Sequence, residues 1–311
     1  ADVYQGHDPS RIDGVDLVVA SAAVPQDDPE LQAAHERGIR VVSRAELLGE
    51  IMRPRRGIAV TGTHGKTTTS GMIAHILNEA GLDPTVAVGA GLPWTPSGGH
   101  AGEGEFMVVE ADEAYGSFLK LDPEIAVVTN IDDDHRDYYE TFEGIMEGFT
   151  QFLRRIKPGG IAVLCADDHN VLRAAEGLDR RIIYYGISSE ADYTSADYSQ
   201  FGFGSRFSVM RRGACLGQIE LSVPGMHNMS NAVAAVAVCD QLGIDFSIIS
   251  RGLAGYMGAE RRCQVLAKTP EMTLVDDYAH HPVEIRATLA ALRKAAEGRL
   301  VVVFQPQRYT R

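Results

Sequence analysis

The sequence lacks the features of a membrane protein and of a metal-cluster protein. No apolar run approaches 18 residues and no segment has the form of a signal peptide, so no membrane association is predicted. The four cysteines (Cys165, Cys215, Cys239 and Cys263) form no C-x-x-C pair, and each lies in or near an apolar segment. Buried thiols in a reducing compartment fit this pattern better than disulfides, so a cytoplasmic location is predicted.

Basic residues are also scarce. There are 29 Lys and Arg against 42 Asp and Glu, which leaves a formal net charge of −13. This balance argues against nucleic acid and anionic membranes as partners, because both attract basic surfaces. With 311 residues, of which 45% are hydrophobic and 23% charged, the chain is typical of a globular protein of about two to three domains.

The most informative stretch joins a strand to a helix through a glycine loop. Three apolar residues, Ile58 to Val60, predict a buried strand, and Thr61-Gly-Thr-His-Gly-Lys-Thr-Thr follows, leading into a helix predicted at 67–80. This is the order of a phosphate-binding loop, in which backbone N–H groups surround phosphate oxygens at a helix N-terminus. The first glycine of the full consensus would fall at Val60, so the loop is a shortened form. A bare glycine turn is the alternative, but it rarely carries Lys-Thr-Thr at the helix start.

Strands and helices alternate through most of the chain, which predicts an α/β fold. Nearly continuous apolar strands are predicted at 106–110, 125–129, 161–165 and 181–185, as in a parallel sheet covered on both faces. Between 189 and 222, short alternating strands predict a small β appendage. A final unit is predicted to contain a strand at 272–275, a helix at 282–296 and a strand at 300–304. The segments 1–53 and 268–311 are too short to bury complete cores, so both are predicted to be partial domains around a central domain, 54–267.

Carboxylates and a histidine follow two of the predicted strands. Glu110, Asp112 and Glu113 come at the end of the strand 106–110, and His135 lies beyond the strand 125–129. Ligands of open parallel sheets bind at these carboxyl ends. A carboxylate at the mouth of a buried strand is costly unless a cation faces it, and Mg²⁺ between Glu110 and the glycine loop would meet that cost. Asp112 and Glu113 are weaker candidates, and a solvated loop with a surface histidine is the alternative.

Together these motifs resemble the Mur ligase family of ATP-dependent amino-acid ligases of bacterial cell-wall synthesis. The resemblance rests on Thr61–Thr68, Glu110–Glu113, Thr129–His135, Pro224–Asn228, Gly258–Arg262 and Asp277–Pro282. It implies a three-domain architecture: a partial Rossmann-like domain for the UDP substrate (1–53), a central P-loop parallel-sheet ATPase domain (54–267) and a partial α/β C-terminal domain (268–311). It also implies that, in the family, further chain precedes residue 1 and follows residue 311.

The resemblance implies a reaction and its residues. Motifs in the first 50 residues and in 304–311 are most similar to the family member that joins L-alanine to UDP-N-acetylmuramate, through an acyl phosphate formed with ATP. The implied catalytic residues are Lys66, Glu110 and His135, and the implied Mg²⁺ ligands are Thr67, Glu110 and His135. The implied ATP-binding residues are Gly62, Thr63, His64, Gly65, Lys66, Thr67, Thr68, Asn228, Arg262, Asp277, Tyr278 and His281. The implied substrate-binding residues are Ser21, Ala22, Ser117, Arg308 and Arg311.

Two alternatives remain open at this point. One is a sibling Mur ligase or a folylpolyglutamate-type ligase that adds another amino acid or a peptide. The other is an ATP-binding fragment without turnover, because both terminal domains are predicted to be incomplete. Gln307 stands where the alanine-adding member usually has His, which leaves the alanine pocket undetermined.

Overall fold

The computed structural model describes residues 2–306. The strands are β1 (Leu17–Ala20), β2 (Arg40–Ser43), β3 (Arg56–Thr61), β4 (Thr85–Ala87), β5 (Gly99–His100), β6 (Phe106–Glu110), β7 (Ile125–Val128), β8 (Ile161–Cys165), β9 (Arg181–Tyr185), β10 (Tyr193–Phe201), β11 (Gly204–Arg211), β12 (Ala214–Leu221), β13 (Gln264–Lys268) and β14 (Thr273–Asp276). The helices are α1 (Pro29–Glu36), α2 (Arg44–Met52), α3 (Lys66–Glu79), α4 (Arg136–Tyr139), α5 (Phe142–Arg154), α6 (His169–Ala174), α7 (Met226–Gln241), α8 (Phe246–Gly255) and α9 (Pro282–Ala295). Short 3₁₀ segments lie at Pro9–Ile12 and Ala114–Lys120.

The described residues form one large sheet, in the order β12-β11-β10-β9-β8-β7-β3-β6-β4-β5. The central strand β3 pairs in parallel with both β6 and β7, and the parallel part of the sheet extends from β4 to β10. The predicted α/β fold with a parallel sheet is therefore confirmed. The short strands predicted between 189 and 222 are present as the antiparallel strands β10, β11 and β12, and this appendage continues the edge of the same sheet through the pairing of Tyr193 with Tyr185.

Both faces of the sheet are buried, which explains the nearly continuous apolar strands. Successive side chains of a strand point to opposite faces. In β3, Ile58 and Val60 face a core cluster that includes α3 and α7, whereas Ala59 faces a second cluster that includes Phe149 and Phe152 of α5. The carboxyl end of β3, where the glycine loop begins, is therefore held rigidly from both sides.

Two smaller sheets flank the large one. β1 and β2 pair in parallel beside α1 and α2, and Met52 at the end of α2 is fully buried in a core cluster of the large sheet. β13 and β14 pair antiparallel. β13 was not predicted, and the proposed boundary at 267/268 falls within it. The division into domains stays a proposal, with the last boundary better placed before Gln264.

The predicted strand at 300–304 is wrong. These residues lie in irregular structure, and Val301 to Phe304 are each more than half exposed. A strand needs a neighbour to satisfy its backbone groups. In the described part of the chain, β13 and β14 pair with each other and no strand pairs with residues 300–304.

Residues 2–306 contain no helix long and apolar enough to cross a membrane.

Candidate active site

The glycine loop connects β3 to α3 at the carboxyl end of the central strand. Gly62 has a φ of 132° and Gly65 a φ of 84°, in the left-handed region that favours glycine. A Cβ at Gly62 would lie 2.1 Å from Thr129 Oγ1, and one at Gly65 would lie 2.7 Å from Asn231 Oδ1. Both glycines are therefore required by conformation and by space. Val60, where the longer consensus has its first glycine, is fully buried in β3.

The segment after β7 holds this loop in place. The N–H of His64 donates to Asn130 Oδ1 at 2.8 Å, and Thr129 Oγ1 donates to the His64 carbonyl at 2.6 Å. The N–H of Asp132 donates to Thr63 Oγ1 at 2.8 Å. Polar groups at the carboxyl end of β7 thus fix the backbone of the glycine loop.

Lys66, at the start of α3, is paired with a buried carboxylate. Its Nζ lies 3.0 and 2.8 Å from the two carboxylate oxygens of Glu113 and donates to the carbonyl of Gly62 at 2.7 Å. Glu113 is only 2% exposed. Burial lowers the pKa of Lys66, but the charges of Glu113 and two neighbouring carboxylates more than offset this, so the pKa is raised. Lys66 is therefore a buried, charged ammonium.

Glu110 and Thr67 lie together, as expected. Thr67 Oγ1 donates to Glu110 Oε1 at 3.0 Å, and the N–H of Gly89 donates to Glu110 Oε2 at 2.6 Å. His135 lies beside Glu113, with its Nε2 3.6 Å from Glu113 Oε1. Ligand atoms of Asp112, Glu113 and His135 lie within 4.8 Å of one another, so this group could also hold a cation.

A cavity of about 580 Å³ opens beside the glycine loop. Of the predicted ATP-binding residues, seven line it: His64, Gly65, Thr67, Thr68, Asn228, Arg262 and Asp277. Asn228 Nδ2 donates to the carbonyl of Pro224 at 2.7 Å, and Asp277 accepts N–H groups of Cys263 and Ala279 at 2.8 and 2.7 Å. The walls come from the sheet, from α7 and from the segments on either side of β13 and β14, so residues distant in sequence surround one volume.

The other five predicted ATP-binding residues do not line this cavity. Gly62, Thr63 and Lys66 belong to the same glycine loop but do not line the cavity. Tyr278 lies under the guanidinium groups of Arg261 and Arg262, 4.7 and 5.7 Å from its ring centroid. The ring of His281 lies against that of His64, with centroids 4.7 Å apart.

A second cavity, of about 420 Å³, lies between the β1–β2 unit and the carboxyl end of β6. It is lined by the predicted substrate residues Ser21, Ala22 and Ser117 and also by Glu110. Thr67 lines the first cavity, and its hydroxyl is hydrogen-bonded to Glu110, so the two cavities meet at this pair. Arg308 and Arg311, together with Gln307, lie outside the described residues.

Comparisons with known proteins identify the family of the chain. The Mur ligase middle domain matches residues 60–239, the Mur ligase glutamate ligase domain 261–311 and the Mur ligase family catalytic domain 1–56. The chain belongs to the Mur ligase family. The predicted family is thereby confirmed, and with it the assignment of the chain to the ATP-dependent ligases.

Individual relatives of the chain have names that match this family. A UDP-N-acetylmuramate–L-alanine ligase of Geobacter sp. (strain M21) is 47% identical over 311 residues, covering 100% of this chain and 68% of the relative. The enzyme of the same name from Syntrophus aciditrophicus (strain SB) is 46% identical, and the chain covers 65% of it. The chain thus spans about two thirds of the length of these relatives.

Solved structures share the fold. A UDP-N-acetylmuramate-alanine ligase from Thermotoga maritima superimposes with a TM-score of 0.83 at 28% identity, over 94% of this chain and 67% of that one. A UDP-N-acetylmuramate:L-alanyl-gamma-D-glutamyl-meso-diaminopimelate ligase from Neisseria meningitides has a TM-score of 0.75 at 24% identity, over 84% of this chain and 85% of that one. At this identity, the second comparison shows a shared fold and nothing more.

Some residues of this Mur ligase site were underrated or missed by the sequence analysis. Glu113, only a weaker candidate from the sequence, is the partner of Lys66. Asp167, whose carboxylate accepts the N–H groups of Ile187 and Ser188 at 2.6 and 3.0 Å, lines the first cavity. Cys165 also lines it, and burial raises the pKa of this thiol to about 11, so it remains protonated.

Proposed function

We propose that this Mur ligase joins L-alanine to UDP-N-acetylmuramate with the hydrolysis of ATP to ADP and phosphate. The observation that carries the proposal is the meeting of two cavities at the Thr67–Glu110 pair. One cavity is bordered by a phosphate-binding loop and the other by Ser21, Ala22 and Ser117, so a nucleotide and a second substrate can approach one point from opposite sides. The names of the two bacterial relatives supply the identity of the substrates.

In this proposal the carboxylate of the muramate attacks the terminal phosphorus of ATP, and ADP leaves. The amine of L-alanine then attacks the carbonyl carbon of the acyl phosphate, phosphate leaves, and the nitrogen gives up a proton. The residues of the chain act by positioning and by neutralising charge, because no protein nucleophile is needed. The N–H groups of Thr63 and His64 already donate to Asn130, so phosphate oxygens bind the N–H groups at the start of α3, and Lys66 offsets their negative charge.

Mg²⁺ is part of the proposal, and the residues present fit it. The 3.0 Å between Thr67 Oγ1 and Glu110 Oε1 equals the separation of about 3 Å between adjacent ligands of an octahedral ion with bonds of about 2.1 Å. Thr67 and Glu110 would hold one ion, and His135 would contribute to a second beside Glu113. The ion would supply Lewis-acid polarisation of the phosphoryl group.

The substrates are tested by a panel of amino acids. Phosphate release by the chain is measured with ATP, Mg²⁺ and UDP-N-acetylmuramate, adding L-alanine, D-glutamate or a peptide in turn. We expect any release to depend on L-alanine and on the nucleotide sugar. Release with D-glutamate but not with L-alanine would instead support a sibling ligase. The Lys66→Ala variant should bind ATP more weakly in calorimetry, and unchanged affinity would remove the basis of the proposal.

The metal ligands are tested by a matched pair of variants on α3. Thr67→Val removes the hydroxyl that contacts Glu110, whereas Thr69→Val removes a buried hydroxyl that makes no hydrogen bond. We expect Thr67→Val to weaken ATP binding about tenfold or more with Mg²⁺ present and much less without it. Thr69→Val should change neither affinity. Equal effects of the two variants would argue against Thr67 as a ligand.

A cytoplasmic location also belongs to the proposal. The four cysteines are all free in the structure; Cys165, Cys239 and Cys263 are buried as predicted, whereas Cys215 is exposed, contrary to the prediction. Free buried thiols suit a reducing compartment.

A further inference from the structure

Two histidines and an aspartate converge where the glycine loop meets α9. His64 comes from the loop, Asp132 from the segment after β7, and His281 is the N-cap of α9. His64 Nε2 lies 3.5 Å from Asp132 Oδ2, and His281 Nδ1 lies 3.9 Å from the same oxygen. The three ligand atoms lie within 4.8 Å of one another. The side chains of both histidines are largely buried, at 14% and 17% exposure.

The hydrogen-bond partners of the two rings indicate where their lone pairs point. His64 Nδ1 lies 3.1 Å from Glu284 Oε1, so this nitrogen carries the proton that the carboxylate accepts. In the neutral ring, Nε2 is then unprotonated; it is buried and makes no hydrogen bond. His281 Nδ1 accepts the N–H of Val283 in a long hydrogen bond of 3.4 Å, so it is unprotonated, and a bound cation would take the place of this capping contact. The free lone pair of His64 Nε2, the Asp132 carboxylate and an unprotonated nitrogen of His281 therefore lie together, which favours a cation between them.

A carboxylate behind a metal-binding histidine is a recurrent arrangement, because it fixes the tautomer and orients the ring. Glu284 takes this place behind His64. It is itself held by the N–H groups of His280 and His281, each 3.2 Å from Glu284 Oε2. The ring of His64 is thus fixed from behind, with its second nitrogen directed at Asp132.

We propose that His64, Asp132 and His281 form a binding site for a divalent transition-metal ion of the Zn²⁺ type, joining the glycine loop to α9. Two imidazole nitrogens and one carboxylate oxygen suit Zn²⁺, whereas Mg²⁺ prefers oxygen ligands. Ligand atoms of a tetrahedral zinc ion with bonds of about 2.0–2.1 Å lie about 3.3 Å apart. The contacts of Asp132 with His64 and His281, at 3.5 and 3.9 Å, must therefore shorten by about 0.2 and 0.6 Å, and the two ring nitrogens, which lie within 4.8 Å of each other, must also approach. Water would complete the coordination. The site is separate from the Thr67–Glu110 pair and does not depend on the proposed ligase reaction.

The test uses the full chain without an affinity tag, stripped of metal with a chelator and kept free of nucleotide. Binding of Zn²⁺ is measured by calorimetry, and Co²⁺ is used as a probe because its visible absorption reports four-coordinate geometry. We expect one equivalent of each ion to bind. His281→Ala and Asp132→Asn should each weaken binding by about tenfold or more. The matched control is His280→Ala, which removes the neighbouring imidazole and should bind as the original chain does.

These measurements distinguish a metal site from a cluster in which protonated histidines pair with Asp132 and no metal binds. If the original chain binds no Zn²⁺ or Co²⁺, or if His281→Ala, Asp132→Asn and His280→Ala all bind alike, the proposal is wrong. Circular dichroism of each variant shows whether it is folded, and Asp132→Asn keeps the side-chain volume should His281→Ala unfold. As an independent measurement, Zn²⁺ should slow hydrogen exchange in the first turn of α9 in the original chain and not in Asp132→Asn.

Discussion

The buried pair of Lys66 and Glu113 allows a direct test of the electrostatics of the site. The perturbation is Lys66→Met, which keeps the length and apolar stem of the side chain and removes the charge. The Lys66 side chain is 12% exposed and that of Glu113 3% exposed. Removing one member of a buried ion pair leaves the other charge uncompensated, at a cost of about 3–5 kcal/mol. We therefore expect the free energy of unfolding to fall by about that amount.

A surface pair of the same chemistry supplies the control. Lys120 Nζ lies 3.0 Å from Glu46 Oε1, against 2.8 Å for the closest contact of the buried pair, but its members are 51% and 42% exposed. Exposed pairs contribute about 1 kcal/mol at most. Lys120→Met should therefore lower the free energy of unfolding by less than about 1 kcal/mol. Because the contact distances and residue types are similar, the difference between the two losses in free energy of unfolding reports the effect of burial together with the two carbonyl contacts that Lys66 makes.

Urea denaturation followed by circular dichroism, without nucleotide, measures both variants. The pH dependence gives a second readout. A lysine with a raised pKa in the folded state contributes stability that is present below its ordinary pKa of about 10.4 and is lost as the pH rises through the folded value. The difference in free energy of unfolding between the original chain and Lys66→Met should thus become smaller above about pH 10.4. The reasoning would be refuted if Lys66→Met and Lys120→Met lost equal free energy of unfolding, or if that difference grew at alkaline pH.

Three further predictions concern single residues near the first cavity. Gly65→Ala should lower the free energy of unfolding by about 1–3 kcal/mol in urea titrations, because the residue has positive φ and the new Cβ would lie 2.7 Å from Asn231 Oδ1. Thr69→Val should raise it by up to about 1 kcal/mol, since it removes a buried hydroxyl that has no hydrogen-bond partner. Burial raises the pKa of Glu284, but hydrogen bonds from His64 and two backbone N–H groups more than offset this, so the pKa is lowered. The stability lost in Glu284→Gln should hence be constant near neutral pH and shrink below about pH 4.3, as unfolding at several pH values would show.

The parts that could be predicted from the sequence depend on local pattern. Apolar residues fill almost all of β6 and β7 and the segment Ile58 to Val60 of β3, because both faces of the sheet are covered. The glycine loop is recognisable because Gly62 and Gly65 occupy positions with positive φ that also have no space for a side chain. Chain order and the rule that parallel strands end at one edge then place Glu110 near Thr67. These constraints are short in sequence, so a single sequence contains them.

The parts that were missed depend on contacts between distant segments. β13 was not predicted because four of its five residues are exposed, which leaves no apolar alternation to detect. The strand at 300–304 was predicted from an apolar run, but its pairing partner cannot be read from that run. The contact of His64 with Glu284 joins residues 220 positions apart. Such a contact depends on how α9 packs beside the glycine loop, which the local sequence does not encode.

Glu110 and Glu113 show most clearly what the local sequence does not determine, because these two acidic residues of one short segment have different partners. Glu110 meets a hydroxyl and a backbone N–H, whereas Glu113 neutralises Lys66. Lys66 Nζ has three hydrogens and already has four acceptor atoms in reach, two on Glu113 and the carbonyls of Gly62 and Thr63. A phosphate oxygen added to this set must displace an acceptor. Releasing a carbonyl costs about 1–3 kcal/mol, less than the 3–5 kcal/mol or so for leaving Glu113 buried and unpaired. If a phosphate binds at Lys66 as proposed, we therefore expect a carbonyl contact, or one of the two Glu113 oxygens, to give way while the ion pair with Glu113 persists.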